Sequence, residues 1–290
     1  MGQNSTCIFI TGAPRSGTTL CAQILNTHSR LTIFDELYLI QLGDTYERLR
    51  NRPKDDLASI HPAVSESVTQ LIAPQLWMTS LNDLAIRSHS CSEFVRRLLP
   101  DNHQIDIWGE KLPGYFTRAS RIKSLFPQSM IIFMVRHPAA VISSYLRYRH
   151  ASERTSNDFW IADSTSEAIG KLEQIAVRFA ADREWFSVVR YEDLVARPKD
   201  ASQKICEAIG VEFEEKMLEY QPNLLPGSDI AQQFWRHGHL LPWKSENLNT
   251  INASLATRWK DENLATNLTD RDIERLRRLA ELFNYEPGDF

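Results

Sequence analysis

The chain has 290 residues and a formal net charge of −4 at pH 7, with 33 Lys and Arg against 37 Asp and Glu. Hydrophobic residues make up 42% of it and charged residues 24%, which excludes an intrinsically disordered or collagen-like chain. The acidic balance argues against non-specific nucleic-acid binding, which needs a basic surface. The length suits one large domain, which we expect to span residues 1–290.

Cysteine usage and hydropathy indicate the cellular compartment of the protein. The four cysteines are far apart and show no CxxC spacing, which predicts free buried thiols in a reducing compartment rather than a zinc site or disulfide framework. The sequence shows no signal-peptide pattern and no apolar run near the ~20 residues of a membrane span. We therefore expect a cytoplasmic protein without a membrane-spanning segment.

Short apolar runs alternate with helical patterns along the chain. Four runs predict buried strands of a parallel sheet, at Cys7–Thr11, Gln104–Trp108, Met130–Val135 and Trp185–Arg190. Helices are predicted at Thr18–Thr27, Ala63–Leu84, Tyr115–Phe126, Ala139–Arg149, Ser166–Asp182, Lys199–Ile209 and Thr269–Phe283. The alternation predicts an α/β fold, a parallel sheet flanked by helices, in which ligands bind beyond the carboxyl ends of the strands.

Two stretches depart from this alternation and are expected to cover a pocket. Residues of about 36–100 are helical in character but interrupted by prolines, which predicts a helical insertion. Residues 221–262 combine prolines with the aromatic residues Phe234, Trp235, Trp243 and Trp259. We expect the C-terminal segment of about 221–290 to cover the cofactor and the acceptor.

The strongest signal is the segment Gly12-Ala-Pro-Arg-Ser-Gly-Thr-Thr19, which follows the first predicted strand and opens a helix. Such a loop turns backbone N–H groups and a helix N-terminus toward one point, and so binds a phosphate or a similar oxyanion. The spacing is that of a nucleoside-triphosphate loop, but Thr18 stands where those loops have a phosphate-bridging lysine. The cation of this loop is Arg15 instead. This argues against triphosphate hydrolysis and predicts a ligand whose 5′ anionic group is shorter than a triphosphate.

A second anion site is predicted at the turn after Met130–Val135. Arg136 follows this strand, and Pro138 favours the first turn of a helix that carries Ser143 and Ser144 about two turns further on. A guanidinium fork and a nearby hydroxyl can clamp a phosphate together. Taken alone, such an arginine more often pairs with a structural carboxylate.

Together the two turns resemble those of the sulfotransferases that use 3′-phosphoadenosine 5′-phosphosulfate. Pro14-Arg-Ser-Gly-Thr-Thr-Leu20 is similar to their 5′-phosphosulfate loop. Val135-Arg-His-Pro-Ala-Ala-Val-Ile-Ser-Ser144 is similar to their 3′-phosphate motif, in which serine follows arginine by eight positions. Arg190-Tyr-Glu-Asp-Leu194 is similar to the segment whose tyrosine lies near the adenine. The resemblance covers roughly residues 5–210 and implies a P-loop-like nucleotide-binding architecture.

The resemblance also implies which residues bind the donor. The 5′-phosphosulfate is expected on Arg15, Ser16, Gly17, Thr18 and Thr19, the 3′-phosphate on Arg136 and Ser144, and the adenine on Tyr191. Ile251–Trp259 faintly resembles a segment that closes over the 3′-phosphate in tyrosylprotein sulfotransferases. By this resemblance Thr257 takes the polar position of that segment and Arg258 its basic position. From the residues alone, Tyr191 is more often a packed tyrosine whose hydroxyl is satisfied.

Sulfonate transfer needs a base for the acceptor hydroxyl, and the resemblance indicates Glu36. Phe34-Asp-Glu-Leu37 looks similar to the segment that holds the base in tyrosylprotein and bacterial glycolipid sulfotransferases. Asp35 is the neighbouring alternative, and we expect the two carboxylates to point in different directions. Without the resemblance, Glu36 could equally stabilise the N-terminus of a helix over 36–50. The cytosolic small-molecule branch uses a histidine instead, but no histidine here lies in a matching motif.

Charge that develops on the transferred group needs cations or dipoles. Lys111, in Gly-Glu-Lys-Leu-Pro113, stands where related sulfotransferases carry a lysine before a proline. Arg15 is the second candidate, because its guanidinium could bridge the donor and the transferred sulfonate. For Lys111 the alternative is a surface lysine at a strand end. With these positive groups the reaction requires no metal.

The leading prediction is an enzyme that moves a sulfonate from 3′-phosphoadenosine 5′-phosphosulfate to a small-molecule hydroxyl, or less favourably an amine. Adenosine 3′,5′-bisphosphate is then the product. Two alternatives stay open: a small-molecule kinase with a degenerate loop, which should need Mg²⁺, and a non-catalytic nucleotide-binding protein. The sequence identifies neither the acceptor nor the oligomeric state, and it predicts no nucleic-acid partner.

Overall fold

Five parallel strands form the central sheet of the computed structural model, which describes residues 7–50, 88–98, 106–151, 162, 164–219, 251–261, 264 and 268–286. The strands are β1 (Cys7–Gly12), β2 (Leu31–Asp35), β3 (Ile107–Lys111), β4 (Met130–Val135) and β5 (Phe186–Arg190). Their order across the sheet is β2-β3-β1-β4-β5, and each neighbouring pair is parallel. The predicted α/β architecture, a parallel sheet flanked by helices, is confirmed.

The helices of the described ranges lie between and after the strands. They are α1 (Thr18–Asn26), α2 (Leu39–Arg50), α3 (Cys91–Leu98), α4 (Ala119–Leu125), α5 (Pro138–Ala151), α6 (Thr165–Ala181), α7 (Tyr191–Ala196), α8 (Pro198–Ile209) and α9 (Asp270–Leu282). Turns of 3-10 helix lie at Pro113–Arg118, Arg183–Trp185, Glu215–Glu219, Ala253–Ala256 and Arg258–Lys260. The predicted helix Ala63–Leu84 and most of the stretch 221–262 lie outside the described residues.

Two strands differ from the sequence prediction. β2 is not among the four predicted strands, because its apolar run is short and interrupted by Thr32. β3 begins three residues later than Gln104–Trp108 predicts and continues through Glu110 and Lys111. A neighbouring pair of charged residues is typical of an exposed turn, yet these side chains are only 0% and 3% exposed. Their polar partners come from the end of β2 and from the turn that follows it, as described below.

Apolar side chains cover both faces of the sheet and fix the position of its central strand. On one face the ring of Phe9 meets Trp108 and Tyr115 edge-on, with centroids 5.7 and 5.5 Å apart. On the other face Ile8 and Ile10 belong to the apolar cluster that includes the buried side of α1. All six residues of β1 are buried. The loop that follows β1 therefore starts from a rigid support.

We predict that Gly109→Ala destabilises the fold, because β3 passes β1 too closely for a side chain. A Cβ at Gly109 would lie 2.5 Å from the carbonyl oxygen of Ile8, which is backbone and has little freedom to move. Overpacking of this kind costs about 1–3 kcal/mol in the free energy of unfolding, measured by urea denaturation. Gly114→Ala is the control, since a Cβ there meets nothing within 4 Å. Equal stability of the two variants would contradict the close approach.

Candidate active site

The parallel sheet brings the carboxyl ends of its strands to one edge. Asp35 is the register partner of Lys111 in the β2–β3 pair, and Val135 is the partner of Arg190 in the β4–β5 pair. The turns that leave β1, β2 and β4 therefore lie beyond the same edge. In doubly wound sheets this edge is where ligands bind.

The loop between β1 and α1 has a backbone shape that its sequence permits only with glycine at two positions. Gly12 has φ 144° and Gly17 has φ 95°. A Cβ at Gly12 would lie 2.4 Å from the carbonyl oxygen of Met134, and one at Gly17 would lie 2.4 Å from the ring of Tyr191. Arg15 also has a positive φ, of 74°. The loop is thus pressed against β4 and α7 and folds tightly around its own centre.

The N-terminus of α1 is suited to an anion. Its N-cap residue is Gly17, which has no side chain to bond the first amides, and its first turn contains no acidic residue. The amides at the start of a helix lack partners within the helix and carry its positive dipole end. The hydroxyl of Ser16, a residue only 1% exposed, has no hydrogen-bond partner among the described residues. The predicted loop residues therefore form a compact set of donors.

The two predicted anion sites contact each other through their arginines. Arg15 Nε donates to Ser144 Oγ at 3.2 Å, and Arg136 donates to the carbonyl oxygen of Arg15 at 3.0 Å. The Arg136 guanidinium also lies 4.2 Å from the ring centroid of Tyr191. Burial lowers the pKa of Arg136 from its ordinary value, although arginine remains charged. The structure thus brings together four residues that the sequence selected separately.

Sequence reasoning missed a third arginine of this cluster, Arg147. Its guanidinium donates to Ser143 Oγ at 3.0 Å, and Ser143 precedes Ser144, the serine that Arg15 contacts. Its positive charge is among the causes that lower the pKa of Arg136, after burial. Helical spacing was the available signal, because Arg147 follows Ser143 by one turn on α5.

Lys111 lies buried between two carboxylates at the end of β3. Its Nζ is 2.5 Å from Asp35 Oδ1 in an ion pair and donates to Glu36 Oε1 at 2.6 Å. Burial alone would lower the pKa of Lys111, but the charges of Asp35 and Glu36 outweigh it and raise that pKa. Lys111 is therefore not a surface lysine. The expectation that the two carboxylates point apart is wrong, because Glu36 has φ 52° and turns its side chain back.

Glu36 does not lie in the first turn of a helix, because α2 begins only at Leu39. The carboxylate at the start of α2 is that of Glu110, which accepts the backbone N–H groups of Tyr38 at 2.6 Å and Leu39 at 3.2 Å. It also accepts the hydroxyl of Tyr115. Burial raises the pKa of Glu110 to about 8, although these hydrogen bonds favour its charged form.

The C-terminal segment packs over the turn that carries Arg136. Arg136 donates to the carbonyl oxygen of Leu255 at 3.1 Å, and the ring of His137 stacks on Trp259 with centroids 4.3 Å apart. Thr257 and Arg258 follow Leu255 and are exposed. The segment thus lies beside the predicted 3′-phosphate site, and the roles of Thr257 and Arg258 stay predictions.

Other features of the described ranges bear on the predicted class. All four cysteines are buried free thiols, as their spacing predicts. Within the described residues, no group of three or more His, Cys, Asp or Glu side chains is arranged to hold a metal ion. No helix in these ranges combines the length and apolar character needed to cross a membrane.

Comparison with known proteins decides the family. The sequence profile of the sulfotransferase family matches residues 7–215, well over half of the chain. The chain belongs to the sulfotransferase family. The match covers all five strands of the sheet and the loop after β1. This confirms the family indicated by the loop and strand-end motifs.

Curated relatives of this sulfotransferase are distant. It is 25% identical over 217 residues to the nodulation protein NoeE of Sinorhizobium fredii, covering 70% of this chain and 49% of that protein. It therefore spans about half the length of this relative. It is 24% identical over 263 residues to a putative protein-tyrosine sulfotransferase of Caenorhabditis briggsae, covering 88% of this chain and 80% of that one.

Solved structures agree with the sulfotransferase fold. The sulfotransferase domain from the curacin biosynthetic pathway is 25% identical with a TM-score of 0.64, covering 97% of this chain and 98% of that one. The sulfotransferase domain of the Synechococcus PCC 7002 olefin synthase is 23% identical with a TM-score of 0.64, covering 98% and 97%. These likenesses extend beyond the residues that the family profile matches.

Glu110 should give the sulfotransferase a specific dependence of stability on pH. Its pKa is about 8 in the fold and about 4.5 in an unfolded chain, so the folded state holds more protons between these values. The stabilisation is complete below pH about 4.5 and is lost as pH rises through about 8. The free energy of unfolding of the wild type should therefore fall relative to that of Glu110→Gln, by about 1 kcal/mol per pH unit. Urea denaturation from pH 5 to 9 measures this, and parallel curves would contradict it.

Proposed function

We propose that this sulfotransferase moves the sulfonate of 3′-phosphoadenosine 5′-phosphosulfate to a hydroxyl acceptor and releases adenosine 3′,5′-bisphosphate. One observation carries the proposal: the Glu36–Lys111 pair, at 2.6 Å, lies at the same sheet edge as the loop between β1 and α1. A carboxylate that takes a proton and a cation that stabilises the developing charge are the groups that this transfer needs. An amine is the less favoured acceptor.

The arrangement of the arginines supports a donor with two anionic ends. The loop amides of residues 15–19 would hold the 5′-phosphosulfate, while Arg136 and Ser144 would hold the 3′-phosphate. Arg15 joins the two sites, because its side chain contacts Ser144 and its carbonyl oxygen contacts Arg136. We propose that Tyr191 contacts the adenine and that Thr257 and Arg258 cover the 3′-phosphate.

The catalytic roles follow from the charges at the ends of β2 and β3. Lys111 holds the Glu36 carboxylate at the end of β3 through the 2.6 Å contact between its Nζ and Glu36 Oε1. Glu36 would take the acceptor's proton as the new oxygen–sulfur bond forms. Lys111 and Arg15 would stabilise the negative charge on the transferred group and on the departing 5′-phosphate. No metal is part of this proposal.

The kinase alternative finds less support in the loop. Thr18 opens α1 where a triphosphate enzyme has its lysine, and the loop's cation contacts the hydroxyl of Ser144. For the acceptor we propose a chemical class, a small molecule that bears a hydroxyl group. The stretches expected to line its pocket lie largely outside the described residues. A single domain over residues 1–290 and a cytoplasmic location stay predictions.

Arg136→Ala should weaken binding of adenosine 3′,5′-bisphosphate. Truncating a buried charged contact costs roughly 2–5 kcal/mol, which is a loss of about 30-fold or more in affinity. Isothermal titration calorimetry without Mg²⁺ measures it, with ATP as the comparison ligand. Arg178→Ala is the control, since Arg178 pairs with Asp182 at the opposite edge of the sheet. An unchanged affinity in Arg136→Ala would reject the assigned 3′-phosphate site.

Glu36→Gln should lower kcat about 100-fold or more, because the amide takes no proton from the acceptor. Transfer of radiolabelled sulfonate to a panel of alcohols and phenols measures turnover, and calorimetry should show unchanged bisphosphate affinity. Asp35→Asn is the matched control, since Asp35 contacts the same amine at 2.5 Å. If Asp35→Asn abolishes turnover and Glu36→Gln does not, the base is Asp35.

A further inference from the structure

The turn between β2 and α2, which carries Glu36, is held by a second carboxylate. We propose that Glu110 is a positioning residue for Glu36: it fixes residues 36–39 so that the Glu36 carboxylate stays at Lys111 and at the acceptor. This role rests on the proposed function, because it assumes that Glu36 is the base. Glu110 itself contacts neither donor nor acceptor in this proposal.

The turn needs external support because its backbone is strained. Glu36 has φ 52° and Tyr38 has φ 59°, which places two residues with side chains in the left-handed region within three positions. Such conformations persist only where the surroundings determine them. A relaxed turn would carry the Glu36 side chain away from the end of β3. The strain thus identifies a place where positioning contacts matter.

Two consecutive residues of β3 supply that support. The carbonyl oxygen of Lys111 accepts the N–H of Glu36 at 2.9 Å, which continues the β2–β3 pairing by one residue. The two carboxylate oxygens of Glu110 accept the N–H groups of Tyr38 at 2.6 Å and Leu39 at 3.2 Å. The turn is therefore held immediately before and immediately after its central residue, Leu37.

Tyr115 completes the support of the turn through its hydroxyl group. Its buried hydroxyl donates to Glu110, and the same oxygen accepts the N–H of Ile40 at 3.3 Å. Three consecutive amides at the start of α2 are thus satisfied by one carboxylate and one hydroxyl. Among the described residues, the titratable groups near Glu110 are Tyr115, Tyr38 and Glu36. The negative charge of Glu36 raises the pKa of Glu110 further, in the same direction as burial. Glu110 and Tyr115 thus hold the backbone that directly follows Glu36.

The test compares Glu110→Gln with two further variants. At pH 9, above the pKa of about 8 of Glu110, both carboxylate oxygens accept hydrogen bonds. Gln keeps the volume but replaces one of these oxygens with an N–H₂ group, so one amide of the turn loses its partner. We expect kcat to fall about 10- to 100-fold with unchanged affinity for adenosine 3′,5′-bisphosphate, because a small displacement of a catalytic group is enough for such a loss. Tyr115→Phe, the milder variant, should show a smaller fall in the same direction.

Glu214→Gln is the matched control. Glu214 accepts the backbone N–H of Ser29 at 2.9 Å and the hydroxyl of the same residue, so it ties down a turn at the other end of β2. It should lower stability while kcat stays within about twofold. A general loss of stability in Glu110→Gln would resemble this control and would leave kcat of the folded fraction unchanged.

Two readouts separate positioning from a merely structural role. The loss in Glu110→Gln should fall on kcat while the KM for the donor stays unchanged, because the proposed donor contacts lie on the loop after β1 and on Arg136 and not on this turn. Hydrogen exchange at the amides of Tyr38 and Leu39 should accelerate there, and should not in Glu214→Gln.

The outcomes distinguish the two proposals. If Glu36→Gln keeps its activity, the assigned base is wrong, and the positioning role falls with it. If Glu36→Gln is inactive while Glu110→Gln keeps a normal kcat, only the role of Glu110 is overturned.

Discussion

A buried amine between two carboxylates is the constraint on which the candidate site depends. Lys111 cannot be buried at the end of β3 without charged partners, because an isolated ion in the interior is strongly destabilising. Asp35 reaches it through strand register, and Glu36 reaches it only because the chain turns through a left-handed conformation. The position of one lysine thus determines how β2 ends and which way the proposed base points, whereas Glu110 contacts the start of α2.

The sheet edge divides into two halves with different chemistry. The loop after β1, the turn after β4 and helix α5 contribute Arg15, Arg136 and Arg147, of which Arg15 and Arg147 donate to serine hydroxyls. The ends of β2 and β3 contribute carboxylates around a single lysine. β1 lies between β3 and β4, so its loop borders both halves. A donor held by the arginines would meet an acceptor held near Glu36 across this loop, which is the arrangement that group transfer requires.

Local signals predicted one half of the site better than the other. Loop and strand-end motifs indicated Arg15, Arg136 and Ser144, and the start of α5 at Pro138 follows from the preference of proline for the first helical turn. These residues depend on short spacings that the sequence displays directly. The alternation of strands and helices likewise predicted the parallel sheet, although it missed β2, whose apolar run is short.

The carboxylate half depends on contacts between residues far apart in sequence. Glu110 binds the amides of residues 71 and 72 positions away, and no local pattern distinguishes it from an exposed strand-end charge. Sequence alone therefore predicted β3 to end before its two buried charges. The resemblance to sulfotransferases supplied Glu36 and Lys111 as candidates but not their contact, which follows from the three-dimensional arrangement.

A crystal structure with bound adenosine 3′,5′-bisphosphate tests most directly whether the two halves form one site. The account predicts the 5′-phosphate on the amides at the start of α1, facing Lys111 and Glu36, and the 3′-phosphate within hydrogen-bond distance of Arg136 and Ser144. Phosphates bound elsewhere, or a 5′-phosphate directed away from the end of β3, would contradict it.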